Sequence, residues 1–501
     1  MKIFKTPNKW LLILSLLSIS YFGLSAQANE GSSFNKKSSR PHEVIILNNG
    51  LASLEKRLQM IERAKKRIDV EYFIYRTDTS AKIFTQALVK KARQGVKVRM
   101  LLDYFMIIGD LNTFYTTELE RNGIEVKYFN AVSPLSIRYG QYRNHRKLLA
   151  VDGVEAITGG RNIGDEYFDL SSEYNFLDRD IYIKGEIVKS IEETFDTIFA
   201  SKHSKRLKRE RAPRRLDYHS SGPPGKSIGG AGKAGSYTAD LKRYNAKIQA
   251  AYDFVNKEDV DLDMIRDNAK NFLAEEHSGV CKKISFQSEY ALVGIGSGNK
   301  DNRILKYGLL DRIKNANFRV LIDSPYFIIN NELGTALDVA LNKKNKVDVT
   351  LLTNSLNSTD AIYVYANFDS HIKSWINRGL EPFIFKGARP AGYNIIESKA
   401  GQSRFGVHAK TFVFDDKDIV IGTYNVDPRS ANINSEMIVV CEDNKELAAV
   451  VSEDVQSRLD ISFHLNSGAD VKRLEFYEVN FVKRIAYYVT KPLANMFSFL
   501  L

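Results

Sequence analysis

Apolar positions along the chain follow two alternating periods. The stretch "LEKRLQMIERAKKRIDVEYFIY" carries them at helical spacing and then runs into a short apolar segment rich in Val, Ile, Tyr and Phe, which predicts a helix followed by a buried strand. In the second half, "RILKYGLLDRIKNANFRVLIDSPYFI" repeats that order, and both end in an aromatic pair, Tyr72-Phe73 and Tyr326-Phe327. Next come "GVKVRMLLD" and "KVDVTLLTN", then "NGIEVKYF" and "RGLEPFIF". Strands alternating with helices predict α/β units with largely buried sheets, and the recurrence predicts a duplication.

The two copies then reach "NHRKLLAVDGVEAITGGRNIGDEYFDLSSE" and "VHAKTFVFDDKDIVIGTYNVDPRSANINSE". Counted from His145 and His408 without gaps, the same residue types recur: Lys147 and Lys410, Asp152 and Asp415, Gly159 and Gly422, Asn162 and Asn425, Glu173 and Glu436. Side chains two apart on a strand share a face, so each half presents an imidazole and an ammonium together. Asp152 and Asp415 have the opposite parity. Asp152 precedes Gly153 at a predicted turn, so ordering the hairpin is the simpler role for both.

Between the halves, residues 202–215 hold eight Lys/Arg and are followed by "SSGPPGKSIGGAGKAGS", the composition of a linker or surface insert, here assigned to 202–283. "GPPGKS" is not a phosphate loop, because Ser220 stands where that motif needs glycine and no buried strand precedes it. Residues 1–28 read as an export signal: Lys2, Lys5 and Lys9, an apolar stretch from Trp10 to Leu24, then Ala26-Gln27-Ala28. This predicts units at 29–201 and 284–501 in an exported protein, periplasmic or secreted and peripheral to the membrane.

The formal charge of +12 favours a polyanionic partner, either nucleic acid or an anionic membrane surface. With only two cysteines, Cys281 and Cys441, a disulfide framework and a zinc ribbon are both excluded. The two either pair in an oxidising compartment or remain buried thiols.

Two histidines, two lysines and two asparagines related by a pseudo-two-fold suit a phosphodiester. Lys147 and Lys410 would neutralise its charge, with Asn162 and Asn425 as neutral donors to the non-bridging oxygens. Glu173 and Glu436 would orient the histidines by accepting their other N–H. One neutral imidazole would attack phosphorus while the other, protonated, serves the leaving alkoxide and then the acceptor. No metal or cofactor is required by this scheme, since the lysines supply the positive charge.

At these residues the chain resembles the phospholipase D superfamily, whose HxKx4D signature stands twice, as His145-Lys147-Asp152 and His408-Lys410-Asp415. "VEYFIY", "GGRNIGDEYF", "SPYFI", "LTNSLNSTD" and "NVDPRS" are similar to the bacterial branch that contains cardiolipin synthases. The resemblance implies two duplicated α/β domains, each a mixed sheet flanked by helices, related by a pseudo-two-fold with the active site between them. It also implies the six signature residues as catalytic, with His145 as nucleophile and His408 as acid/base.

The expected activity is phosphatidyl transfer, cardiolipin synthase-like, with a phospholipid substrate and no nucleotide. The alternatives are an exported phospholipase D that releases phosphatidic acid and, less favoured, a nuclease; nucleic acid is not the expected partner. A scaffold that only binds lipid would have lost a signature residue, and none is lost. Tyr72 and Tyr326 either line the cleft or belong to the core. Near the C-terminus, Phe481, Ile485, Tyr488 and Val489 fall at helical spacing, and Met496, Phe497, Phe499 and Leu500 follow Pro492. That pattern predicts either a membrane-interface segment or a terminal helix packed on the core.

Overall fold

A computed structural model describes residues 33–107, 109–132, 140–215, 236–258, 262–290 and 303–496. The predicted export signal at 1–28 and the glycine-rich run after residue 215 lie outside these residues. The strands, in chain order, are β1 (Ser33–Ser38), β2 (His42–Leu47), β3 (Arg67–Tyr72), β4 (Lys97–Asp103), β5 (Ile124–Phe129), β6 (Leu148–Val151), β7 (Glu155–Gly159), β8 (Tyr174–Leu177), β9 (Asp180–Lys184) and β10 (Ser204–Lys205). In the second half follow β11 (Ser278–Cys281), β12 (Lys283–Glu289), β13 (Arg319–Asp323), β14 (Asp348–Asn354), β15 (Leu380–Phe385), β16 (Arg404–Val407), β17 (Thr411–Phe414), β18 (Asp418–Gly422), β19 (Met437–Glu442) and β20 (Ser462–His464).

Eighteen of them form two mixed nine-stranded sheets, in the orders β10-β5-β4-β3-β6-β7-β9-β2-β11 and β1-β12-β19-β18-β17-β13-β14-β15-β20, and β8 and β16 pair separately. Within each, the helix-linked strands pair in parallel, β3 with β4 and β13 with β14, while the motif hairpins β6-β7 and β17-β18 are antiparallel. A crossover helix permits the first arrangement and a three-residue connection, 152–154 or 415–417, the second. The duplication is therefore present in the hydrogen-bonding pattern itself.

Helices cover the outer faces. In the first unit, α1 (Gly50–Arg63) and α2 (Thr79–Arg93) begin at Asn49 and Asp78, whose side chains accept from the N–H of Ala52 and Ala81. These caps satisfy donors that a helix start leaves open. The inner faces pack on each other. Leu148, Ile181 and Ile183 of the first sheet share one core with Phe286, Leu321, Val413 and Val439 of the second. Each such fully buried side chain contributes roughly 1.5–3 kcal/mol relative to exposure.

The domain limits expected from the sequence need correction in two places. β1 pairs with β12, so the first described strand belongs to the second sheet, whereas β11 pairs with β2 at the edge of the first. The basic insert is also not a mere connector. It contains two helices, Tyr237–Asn256 and Leu262–Glu275, whose Phe254, Val255, Ile265 and Ala269 join the outer core of the first unit. Arg266 fastens the second of them to Glu55 and Glu62 of α1. Sparse apolar positions such as Ile265 and Ala269, at i and i+4, were masked by the surrounding charge.

Cys281 and Cys441 form a disulfide with Cα atoms 5.9 Å apart, joining β11 of the first sheet to β19 of the second across 160 residues of chain. Closing so long a loop restricts the unfolded state. Replacing both cysteines with serine is expected to lower stability by about 2–4 kcal/mol, read as a lower Tm, and reductant should lower the wild-type Tm to match.

Candidate functional site

Each histidine sits just beyond a short parallel pairing between the two halves. β16 runs alongside β8, from Arg404↔Tyr174 to Val407↔Leu177, and the next residues in register are His408 and Asp178. On the other side Asn144 bridges Ser435, and the next residues are His145 and Glu436. The backbone N–H of His145 donates to the Ser435 carbonyl at 3.0 Å, and that of His408 to Leu177 at 2.9 Å. Neighbours in parallel register project together, so each imidazole meets a carboxylate from the opposite half.

The contacts are close. His408 Nδ1 lies 2.6 Å from Asp178 Oδ2, and His145 Nδ1 lies 3.0 Å from the Glu436 carboxylate and 3.1 Å from the Thr423 carbonyl. Both partners of His145 Nδ1 are acceptors, so that nitrogen carries the proton and Nε2 keeps the lone pair. The same tautomer follows for His408 from Asp178. Lys147 Nζ donates to its own His145 carbonyl at 2.7 Å, and Lys410 Nζ lies 3.0 Å from His408 Nδ1. Gly160 leaves the space that the Asp178 carboxylate fills; a Cβ there would strike it.

Burial dominates the electrostatics. His145 is pushed down to about 4 by desolvation, which Glu436 opposes and the charges of Lys147 and Lys410 reinforce. Lys147 falls to about 7 and Lys410 to about 8, again through burial first, with Glu436 and Asp178 among the charges that oppose it. Lys410 acts on both His145 and Lys147, so the two motifs form one electrostatic cluster. His408 is likewise held low by burial and by Lys410, against the pull of Asp178. In the resting site, then, two buried carboxylates stand beside neutral imidazoles, and the two lysines hold their protons far less tightly than in water.

Aromatic rings wall the cluster. Phe73 packs edge-on to His145 with centroids 4.9 Å apart, while Phe176 and Tyr167 lie 4.7 and 5.5 Å from His408. Tyr72 is a core residue instead, its hydroxyl bonded to Arg57. Tyr326 does border the site, donating to the exposed carboxylate of Asp360, whose charge reaches His408 and Lys410. The aromatic pairs are not equivalent. The bridges Tyr75↔Ile163 and Phe327↔Val426 align Phe327 with Tyr75, two residues beyond Phe73.

Three sequence expectations are corrected. Glu173 is exposed and meets the second half only through its carbonyl, which accepts from Arg404 N–H; it does not reach a histidine. Its role falls to Asp178. Strand register shows why: Gly159 faces Asp180 and Gly422 faces Ile438, making Asp178 the counterpart of Glu436. The first copy carries five extra residues after its asparagine, which an ungapped count cannot see. Asp152 and Asp415 are also removed from the catalytic set. Both have positive φ, 54° and 50°, at the tips of the motif hairpins.

Asp152 accepts from the backbone N–H of Lys65, Lys66 and Arg67, and Asp415 from Asn317, Phe318 and Arg319. Burial raises the Asp415 carboxyl, but the N–H of Phe318 and the Asn317 amide outweigh it and hold the group below the usual range. Asp415→Asn is expected to cost roughly 1–3 kcal/mol through the donors left short of an acceptor. Thermal unfolding would detect that loss, with kcat nearly unchanged in the folded fraction.

The asparagines differ in their engagement. Asn162 Oδ1 accepts from Ile74 N–H at 3.0 Å, and the Asn162 side chain also bonds Tyr167 beside His408. Among the described residues, Asn425 Oδ1 is buried without a hydrogen-bonding partner. Among the described residues no group of three or more His, Cys, Asp or Glu is arranged to hold a metal ion.

The family model "Cardiolipin synthase, PLD-like domain" matches residues 58–199 and 309–459, the two units that carry these motifs. An uncharacterized protein of Helicobacter pylori is 29% identical, with 92% of this chain and 87% of that protein aligned. Cardiolipin synthase C of Escherichia coli is also 29% identical, over 83% of this chain and 86% of its own. Among solved structures, the phosphatidylserine synthase of Haemophilus influenzae superposes with a TM-score of 0.59, covering 91% of this chain and 95% of that one at 13% identity. That likeness is one of fold.

Proposed function

Because the chain belongs to the phospholipase D-like family described as the cardiolipin synthase PLD-like domain, we propose that it is a phosphatidyl transferase working through a phosphohistidine, with phosphatidylglycerol as the acceptor alcohol. The observation that carries this reading is the reciprocal pairing of His145 with Glu436 and His408 with Asp178, with both lysines between them. Lys147 and Lys410 receive the phosphodiester, and the Nδ2 amino group of Asn425 donates to one of its non-bridging oxygens.

His145 Nε2 attacks phosphorus, forming the P–N bond as the P–O bond to the departing head group breaks. His408 gives its proton to that alkoxide. The same imidazole then takes the proton of the incoming hydroxyl, whose oxygen displaces His145 and restores it. One phosphodiester is made for each one broken, so no nucleotide is consumed. His145 suits the attacking role because its low proton affinity keeps it neutral.

The resting charge balance leads to a pH prediction. A bound phosphodiester adds a negative charge beside the imidazoles and so favours protonation of His408, which must be charged to act as the acid. Activity is lost as pH rises through that group's pKa, and the pKa is higher with substrate bound. The alkaline limb of kcat is therefore expected about 1–3 units above that of kcat/KM, measured with a short-chain soluble phospholipid.

We also place the enzyme outside the cytoplasm, peripheral to an anionic membrane. The Cys281–Cys441 disulfide favours an oxidising compartment, and it agrees with the signal-like pattern at 1–28. The deciding experiment incubates the protein with phosphatidylethanolamine and phosphatidylglycerol vesicles and identifies products by mass spectrometry. Cardiolipin is the expected product; phosphatidic acid alone would make the protein a hydrolase, and cleavage of DNA without lipid turnover would make it a nuclease.

A further inference from the structure

Helix α3 (Phe481–Met496) leaves a wide apolar face without cover. Phe481, Val482, Ile485, Tyr488, Val489 and Met496 are between 48% and 76% exposed. At about 100° per residue they fall within a single arc of about 120°. That arc holds no charge. The opposite face is firmly attached: Tyr487 and Ala494 are buried in the core of the second unit, and Lys491 pairs with Asp369 at 2.6 Å. An apolar stripe this continuous on a helix fixed to the body is unusual for a surface that meets only water.

The helix is tied to the rim of the site. Lys483 Nζ donates to the carbonyls of Asn357 and Thr359 at 3.0 and 2.8 Å, and the next residue in that loop is Asp360, which meets Tyr326 and is felt at His408. α3 contains no acidic residue; Arg484 is exposed beside the stripe, whereas Lys483 and Lys491 turn toward the body, where Thr359 and Asp369 hold them. Among the described residues no helix is long and apolar enough to cross a membrane. The sequence beyond Met496 continues with Phe497, Phe499, Leu500 and Leu501.

We propose that α3 lies in the interface of an anionic phospholipid bilayer, apolar arc inward, and that this seating holds the rim of the site against the lipid head groups. Charge selects this occupant. A second copy of the chain docked on the same face would set Arg484 against a helix that offers it no acidic residue, whereas anionic head groups meet it with opposite charge. The proposal rests on the reading of the site as a phospholipid enzyme only for what the seating achieves; the binding itself is independent of it.

The test compares the wild type with the triple variant Phe481→Gln, Ile485→Gln, Val489→Gln. All three positions are exposed, so the fold should be kept, as circular dichroism would verify. Flotation with phosphatidylglycerol/phosphatidylethanolamine vesicles is expected to be at least tenfold weaker for the variant. Turnover of vesicle lipid should fall in proportion, while turnover of a short-chain phospholipid below its micelle concentration stays the same.

Equal flotation of the two proteins would overturn the proposal, as would a wild-type dimer that the variant breaks into monomers without any change in flotation. If neither protein turns over either substrate but flotation still differs, the docking stands and the catalytic reading fails.

Discussion

His145→Ala is expected to remove at least about three orders of magnitude from both phosphatidyl transfer and hydrolysis, with the fold intact. The side chain is nearly enclosed, its Nδ1 bonded to Glu436 and its Nε2 left with the lone pair, and His408, the other imidazole of the site, is engaged as the acid and does not take over the attack on phosphorus. His408→Ala should be equally inactive in turnover for a different reason: the leaving alkoxide has no proton donor. The two variants are separable. With a donor lipid whose leaving group needs no proton, such as a p-nitrophenyl phosphodiester, His408→Ala should still accumulate phosphohistidine, detectable by intact mass, and His145→Ala should not. Substantial turnover by His145→Ala would reject its assigned role.

The second large effect is expected at a residue outside the repeated spacing. Asp178→Asn should reduce kcat by roughly two to four orders of magnitude, because an amide beside His408 Nδ1 no longer stabilises the imidazolium and permits the wrong tautomer. Glu173→Gln, at the position suggested by ungapped counting, should leave kcat within about twofold, since its carboxylate is solvated. Glu436→Gln should resemble Asp178→Asn on the His145 side. Equal activity of Asp178→Asn and Glu173→Gln would disprove the pairing as the source of catalysis.

These expectations mark how far the sequence could be read. The α/β duplication and the pairing of each histidine with a lysine were visible because strand and helix periods are local, and because spacing within a hairpin is fixed by its hydrogen bonds. Glu436 was found by counting from His408. Asp178 was not, since the five extra residues between Asn162 and β9 break the count, and only the register of β7 on β9 restores it. Phe73 and Phe176 were missed as walls of the site because nothing local distinguishes an aromatic facing a cleft from one facing a core. Asp152 and Asp415 belong to the signature by spacing, yet they serve it at a distance, holding the strand entries that set the hairpins in place.

The exchange of edge strands bears on how the molecule may be divided. A fragment ending near residue 201 would keep β1 without the sheet it completes and would leave β2 as an open edge, since β11 lies beyond the cut. The complementary fragment would expose β12 in the same way. Bare edges of this kind invite pairing with any available strand, and here the best match is the missing half. Co-expressed fragments should thus reassemble into one heterodimer, whereas either alone should aggregate or be degraded. What began as two copies of one unit has become a single indivisible fold.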